Sequence, residues 1–105
     1  MPNVLTRLAR TIESRKGKDE KKSYAAKLFA RGPDKCAEKF GEEAVEAIIA
    51  ATKGDKKNLR EEAADVIFHL FVMLSSRGVK FEDVLDELER REGTSGIVEK
   101  QNRGK

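Results

Sequence analysis

Two short acidic segments have the spacing that a metal site requires. Residues 42–46 read EEAVE and residues 61–65 read EEAAD. In each segment the second and last acids are three residues apart, so on an α-helix they lie within one turn and point the same way. Acidic residues at this spacing build metal sites in helical bundles. The candidate ligands are Glu43, Glu46, Glu62 and Asp65.

Carboxylates that lie close together on packed helices are costly. Each one loses hydration and repels the next, which raises the free energy of the folded state. A hard divalent cation such as Mg²⁺, which prefers oxygen ligands, removes both costs. The alternative is a solvated face whose acids pair with lysines, and Lys39 lies three residues before Glu42, where it can do this. Spacing alone leaves both interpretations open.

The elements that must position these acids are helices. Apolar periodicity and helix-terminal residues predict helices over residues 2–15, 23–31, 33–53, 56–77 and 81–91. Ser23 and Asp55 are expected to cap two of the helices, and Gly54 is expected to end another as a left-handed cap. From about residue 93 the chain is basic and turn-rich, and we expect this tail to be mobile. The predicted fold is a single all-α domain over 1–105, with four to five short helices.

The fourth predicted helix also bears on assembly. Residues 66–74, VIFHLFVML, are apolar on every side of a helix except at His69. Such a helix needs neighbours on every side, and a chain of 105 residues has few to supply. We therefore expect a second copy to complete the bundle, which makes the protein a homodimer.

Composition excludes several classes of protein. Charged residues make up 39% of the chain and hydrophobic ones 38%, which is too polar for a membrane protein and too apolar for a disordered one. One Cys and one His exclude a Cys/His zinc site and an internal disulfide. The longest apolar run is about nine residues, and the start of the chain has no signal-peptide pattern. These features predict a cytoplasmic protein.

The charges are divided along the chain. Residues 1–40 carry eleven Lys and Arg against five acids, and residues 41–89 carry six against twelve. A plain nucleic-acid-binding protein would be basic along one continuous face. The pattern instead favours a cation in the middle of the chain and a polyanionic small molecule at its edges, with no nucleic acid as partner.

The segments around the acids resemble a known family. The acids of 42–46, a gap of fifteen residues and then Glu62-x-x-Asp65 resemble the signature of all-α nucleoside triphosphate pyrophosphatases, which include dimeric dUTP/dCTP hydrolases and MazG-type enzymes. Residues 23–51, residues 61–74 and the ending SGIVEKQNR are similar to one branch, the phosphoribosyl-ATP pyrophosphohydrolases. The resemblance covers essentially the whole chain.

The resemblance implies an activity and a role for each acid. The reaction is Mg²⁺-dependent hydrolysis of 1-(5-phosphoribosyl)-ATP to 1-(5-phosphoribosyl)-AMP and pyrophosphate, the second step of histidine biosynthesis. Water attacks the α-phosphorus, and Glu42 is expected to orient or deprotonate this water. By position, the family's Mg²⁺ ligands correspond to Glu43, Glu46, Glu62 and Asp65.

The substrate that the resemblance implies carries a triphosphate and a separate 5′-phosphate, which gives the basic flanks a purpose. A single surface lysine is more often solvated than bound to a ligand. We therefore predict a phosphate-binding role for the basic residues as a group more firmly than for any one of them. His69 lies on the face of Glu62 and Asp65, and we favour a histidine that bonds a carboxylate and fixes a metal ligand over a catalytic base. The candidate substrate-binding residues are Tyr24, Lys27, Lys35, Lys39 and Arg103.

Two rival functions differ from this one in what they require. A house-cleaning pyrophosphatase for dUTP, dCTP or damaged nucleotides shares the chemistry but needs no site for the extra 5′-phosphate. A helical module that binds nucleic acid or a partner protein would not need five carboxylates beside an apolar helix pair. The basic flanks disfavour the first rival, and the acids disfavour the second.

Overall fold

The computed structural model describes residues 3–93 and 96–103, and these residues form six helices and no strand. The prediction of an all-α fold is confirmed. The helices are α1 (Val4–Ser14), α2 (Tyr24–Arg31), α3 (Pro33–Lys53), α4 (Lys56–Ser76), α5 (Phe81–Arg91) and α6 (Gly96–Arg103).

Local sequence signals place the helix ends where they were predicted. The Ser23 side chain accepts a hydrogen bond from the Ala26 amide, and the Asp55 side chain accepts one from the Asn58 amide. Each cap satisfies an amide that the first helical turn leaves unpaired. Gly54 ends α3 in the left-handed region, with φ of 73°. The connection between α3 and α4 is therefore only two residues long.

Both ends of the chain differ from the prediction. The first helix begins at Val4 with Asn3 as its cap, and the predicted start at Pro2 lies outside the described residues. The tail was predicted to be turn-rich, without a helix, but residues 96–103 form one. Among the described residues, no helix combines the length and hydropathy needed to cross a bilayer.

The core lies around the carboxyl-terminal half of α4. Ile12 of α1, Leu28 of α2 and Cys36 of α3 pack there against Phe71 and Val72, and all five are buried. The other end of α4 packs mainly on α3, because the short connection folds these two 21-residue helices into an antiparallel hairpin. The hairpin holds both acidic segments, and the core anchors one end of it.

The left-handed cap at Gly54 gives a test of this hairpin. An L-residue with φ of 73° costs about 1–2 kcal/mol, so Gly54→Ala should lower the free energy of unfolding by about 1 kcal/mol. Gly41→Ala is the matched control, because Gly41 is helical and has open space where a Cβ would lie. It should raise the free energy of unfolding by about 0.5–1 kcal/mol. Urea denaturation measures both, and equal effects at the two glycines would contradict the cap.

Candidate active site

The α3–α4 hairpin brings three of the predicted acids together. Glu43 of α3 meets Glu62 and Asp65 of α4, because residues at similar distances from the Gly54–Asp55 connection face each other in an antiparallel pair. One carboxylate oxygen from each of the three lies within 4.8 Å of the other two. We call these three residues the acidic cluster. Three hard oxygen donors from two rigid helices form the kind of ligand set that Mg²⁺ accepts.

Burial and mutual repulsion both act on the acidic cluster. Loss of hydration, followed by the negative charges of neighbouring acids, raises the pKa of Glu43 and of Glu62. Oxygen Oε2 of Glu62 is buried and has no hydrogen-bond partner among the described residues. A buried acceptor without a partner destabilises the folded chain. A bound cation would supply that partner and remove the repulsion, so the residues present fit a divalent metal.

Glu46, the fourth predicted ligand, lies beside the acidic cluster. After burial, its negative charge is the largest influence on the pKa of Glu43 and of Glu62, and it raises both. The structure therefore brings all four predicted ligands into one neighbourhood, with Glu43 and Glu62 half-buried and Glu46 and Asp65 exposed.

Glu42, the predicted water-orienting residue, is in a different environment. Its carboxylate accepts a hydrogen bond of 3.1 Å from Nζ of Lys39, which lowers the pKa of Glu42 and raises that of Lys39. Glu42 is exposed and is not one of the three clustered acids. The solvated-face interpretation, in which Lys39 pairs with an acid, thus describes Glu42, whereas it does not describe the cluster.

His69 is buried beside the cluster, with 5% of its surface exposed. Its Nδ1 lies 2.8 Å from the main-chain carbonyl oxygen of Asp65, and its Nε2 lies 3.2 Å from the Tyr24 hydroxyl. The partner on the Asp65 side is the carbonyl, whereas the sequence interpretation placed a carboxylate there. The position beside a candidate ligand is as predicted.

The other predicted substrate-binding residues are spread over three helices. Lys27 is exposed on α2, and Arg103 is exposed as the last residue of α6. Lys35 is half-buried on α3, where its ammonium group lies 3.2 Å from Glu38. Two clefts, of about 630 and 540 Å³, lie elsewhere and have no acid of the cluster in their walls.

Comparison with known proteins decides between the families that share such an acidic pattern. The phosphoribosyl-ATP pyrophosphohydrolase family matches this chain over residues 5–92. The chain belongs to the phosphoribosyl-ATP pyrophosphohydrolase family. The match runs from the second residue of α1 to just beyond α5 and includes every acid of the cluster, and the family-level prediction made from the sequence is confirmed.

Individual relatives are similar over almost their whole length. The chain is 65% identical over 102 residues to a phosphoribosyl-ATP pyrophosphatase of Cereibacter sphaeroides, a match that spans 97% of this chain and 99% of the relative. It is 66% identical over 101 residues to one of Rhodobacter capsulatus, spanning 96% and 98%. It is 62% identical over 102 residues to one of Paracoccus denitrificans, spanning 97% and 94%.

Sequence reasoning missed the contact between Tyr24 and His69. The two residues are 45 positions apart and lie on different helices, and Tyr24 was considered only as a substrate-binding residue. No periodicity or motif in the sequence predicts this contact, because it depends on how α2 packs against α4. The only signal in the sequence is the polar His69 in an otherwise apolar segment, where a buried ring needs partners for both nitrogens.

Proposed function

We propose that this protein hydrolyses 1-(5-phosphoribosyl)-ATP to 1-(5-phosphoribosyl)-AMP and pyrophosphate, as the second step of histidine biosynthesis, with Mg²⁺ as its cofactor. The family match over residues 5–92 carries this proposal. The acidic cluster supports it, because a pyrophosphate-releasing reaction needs a cation at the departing group. The lone, buried Cys36 is compatible with a reducing cytoplasm, where we place the protein.

The metal-binding part of the proposal rests on four carboxylates. Glu43, Glu62 and Asp65 supply the clustered oxygens, and Glu46 supplies a fourth carboxylate next to them. When bound there, Mg²⁺ would neutralise charge on the pyrophosphate and align it for departure. The unpartnered oxygen of Glu62 is the feature that fits this role most closely.

Glu42 is proposed to hold the attacking water. Lys39 lowers its pKa, so its carboxylate is ionised at neutral pH and accepts hydrogen bonds from water. It is adjacent in sequence to Glu43, one of the clustered acids, and we propose that it holds the water near the bound phosphates. Lys39 itself, held beside Glu42, is proposed to contact a phosphate oxygen together with Lys35 on the same helix.

The remaining proposed substrate contacts are made by two exposed cations and a tyrosine. Lys27 of α2 and Arg103 of α6 are exposed and positively charged, as binding of a separate 5′-phosphate requires. Tyr24 begins α2 and was predicted from the sequence to contact the substrate. The basic flanks of the chain would therefore serve the polyanionic substrate and no nucleic acid.

A homodimer is also part of the proposal. Val45, Ile48 and Ile49 on α3 are 54%, 60% and 45% exposed, and Ile67 on α4 is 38% exposed. Together they leave apolar surface on the hairpin that one copy of the chain does not cover, which marks an association surface. A second copy would bury it and would complete the environment of residues 66–74.

The dimer gives a prediction about mass in solution. We expect light scattering to report twice the chain mass of 11.8 kDa for the protein. Ile48→Glu places a charge in the proposed interface and should shift the mass to that of one chain. Val4→Glu, a charge at an equally exposed apolar position of α1, should leave the dimer intact. A monomeric parent protein, or dissociation by both variants, would contradict the proposed face.

Isotope labelling tests the proposed reaction. In water enriched in ¹⁸O, attack at the α-phosphorus places the label in phosphoribosyl-AMP and leaves the pyrophosphate unlabelled. Attack at the β-phosphorus would label the pyrophosphate instead. Mass spectrometry of the two products distinguishes these outcomes, and labelled pyrophosphate would overturn the proposed point of attack.

A further inference from the structure

Tyr24 contacts His69 in two ways at the edge of the acidic cluster. Its hydroxyl lies 3.2 Å from Nε2 of His69, and the two rings meet edge to face with centroids 5.7 Å apart. The Tyr24 ring also stacks on Phe68, at 6.1 Å and 21° between the planes. The ring contacts hold the side chain in place, so the hydroxyl is directed at one ring nitrogen.

The hydrogen bonds of His69 specify which nitrogen carries the proton. A main-chain carbonyl can only accept, so Nδ1 must donate to the carbonyl oxygen of Asp65. In the neutral ring Nε2 is then an acceptor, and the Tyr24 hydroxyl donates to it. Both ring nitrogens of a buried side chain are satisfied in this arrangement, and only in this tautomer.

The His69 ring also faces the acidic cluster. Its Nδ1 is hydrogen-bonded to the main-chain carbonyl of Asp65, the residue whose carboxylate belongs to the cluster. If Nε2 lost its partner, a buried acceptor would be left without a hydrogen bond, which destabilises this position of the ring. The ring would then be held on one side only, by its hydrogen bond to the Asp65 carbonyl.

We propose that Tyr24 is a positioning residue that acts through His69: its hydroxyl supplies the partner of Nε2 and holds the imidazole in a fixed orientation beside Asp65, in the tautomer that the Asp65 carbonyl selects. The effect of Tyr24 on the reaction is therefore transmitted through the imidazole, in place of the direct substrate contact considered above. This inference rests on the proposed function for its kinetic consequences but not for the state of the ring.

Nitrogen NMR tests the tautomer directly. His69 is the only histidine of the chain, so ¹⁵N-labelled histidine gives ring signals from this residue alone. At about pH 8.5, where an ordinary imidazole is neutral, we expect a protonated Nδ1 and an unprotonated Nε2. Tyr24→Phe keeps the ring contacts and removes the hydroxyl, so it should leave Nδ1 protonated and shift the Nε2 signal, because Nε2 loses its donor. An unchanged spectrum in the variant, or a parent protein with its proton on Nε2, would overturn the proposal.

A metal-binding measurement and a double-mutant cycle test the consequence. Groups that orient metal ligands typically change metal affinity or activity by about 10–100-fold, so Tyr24→Phe should weaken Mn²⁺ binding by about 10-fold in calorimetry. It should lower kcat/KM by about the same factor. In a His69→Gln background the hydroxyl has no imidazole to position, so adding Tyr24→Phe should change either quantity by less than about 2-fold.

The cycle separates positioning from a substrate contact. If Tyr24 touched the substrate, Tyr24→Phe would raise KM by the same factor with or without His69, and metal affinity would not change. That result would overturn the proposal. A parent protein that releases no pyrophosphate from phosphoribosyl-ATP would overturn the proposed function, whereas the NMR spectrum and Mn²⁺ affinity would still decide the role of Tyr24.

Discussion

Glu62→Gln should lower kcat/KM for pyrophosphate release by at least about 100-fold, the scale expected when a charge that stabilises the transition state is removed. Glu62 holds the buried oxygen without a partner, so it is the acid whose position a cation explains best. Glutamine has almost the same volume but no charge, so the fold should be retained. Steady-state kinetics at saturating Mg²⁺ measures the effect.

The adjacent acid supplies the control. Glu61 is exposed on the same helix and is not one of the clustered acids. Glu61→Gln makes the same chemical change one position away and should keep kcat/KM within about 2-fold, as is usual for surface substitutions. Equal losses of kcat/KM in the two variants would mean that activity depends on the net charge of the protein and not on the acidic cluster. Full activity in Glu62→Gln would contradict the proposal that Glu62 is a metal ligand.

Mg²⁺ should raise the melting temperature of the protein. A ligand that binds only the folded state at 100 times its Kd stabilises that state by about 2.7 kcal/mol, which corresponds to about 10 °C or more for a chain of this size. Glu62→Gln should lose most of this gain, whereas Glu61→Gln should keep it. Thermal melts with and without Mg²⁺ measure the effect, and a melting temperature that Mg²⁺ leaves unchanged would contradict a folded-state metal site.

In the absence of metal, Glu62→Gln should raise the melting temperature of the protein. The pKa of Glu62 is raised in the folded protein by burial and then by neighbouring charges, so its ionised form destabilises the fold. The folded state then holds this proton more tightly than the unfolded chain, and the stability that the proton confers is lost as pH rises through the raised pKa. Metal-free Glu62→Gln should melt above the parent protein at neutral pH.

Acidification tests the sign of this effect. Below the ordinary carboxyl pKa of 4.5, Glu62 is protonated in both the folded and unfolded states, so Glu62→Gln should no longer differ from the parent protein. The difference in melting temperature between the two proteins should therefore shrink as pH falls from neutral. A difference that is independent of pH would mean that Glu62 acts through its shape and not its charge.

Much of the fold follows from local signals, because helix caps act within a few residues. Ser23, Gly54 and Asp55 mark helix ends by hydrogen bonding and backbone conformation, which need no knowledge of the rest of the chain. The tail lacks a comparable signal, and its helix at residues 96–103 was not predicted. The exposed apolar residues of the hairpin agree with the expectation that the apolar stretch in α4 needs further neighbours. The other described helices of one chain do not bury these residues.

The site was predictable to the extent that helix periodicity determines it. Three-residue spacing puts acids on one face, and a two-residue connection makes the two faces meet, so the cluster of Glu43, Glu62 and Asp65 follows from spacing and chain direction. Rotamers and packing between distant helices do not follow from spacing. For that reason the Lys39–Glu42 pair remained one of two open interpretations, and the contact between Tyr24 and His69 was not foreseen.

Pyrophosphate release from phosphoribosyl-ATP, with and without Mg²⁺ and beside ATP, dUTP and dCTP, tests the central claim most directly. We expect Mg²⁺-dependent release from phosphoribosyl-ATP and little from the three simple nucleotides, because only phosphoribosyl-ATP carries the extra phosphate that the basic flanks would bind. Release from dUTP or dCTP but not from phosphoribosyl-ATP would contradict the proposed substrate. Equal release in the presence of a chelator would contradict the metal role of the acidic cluster.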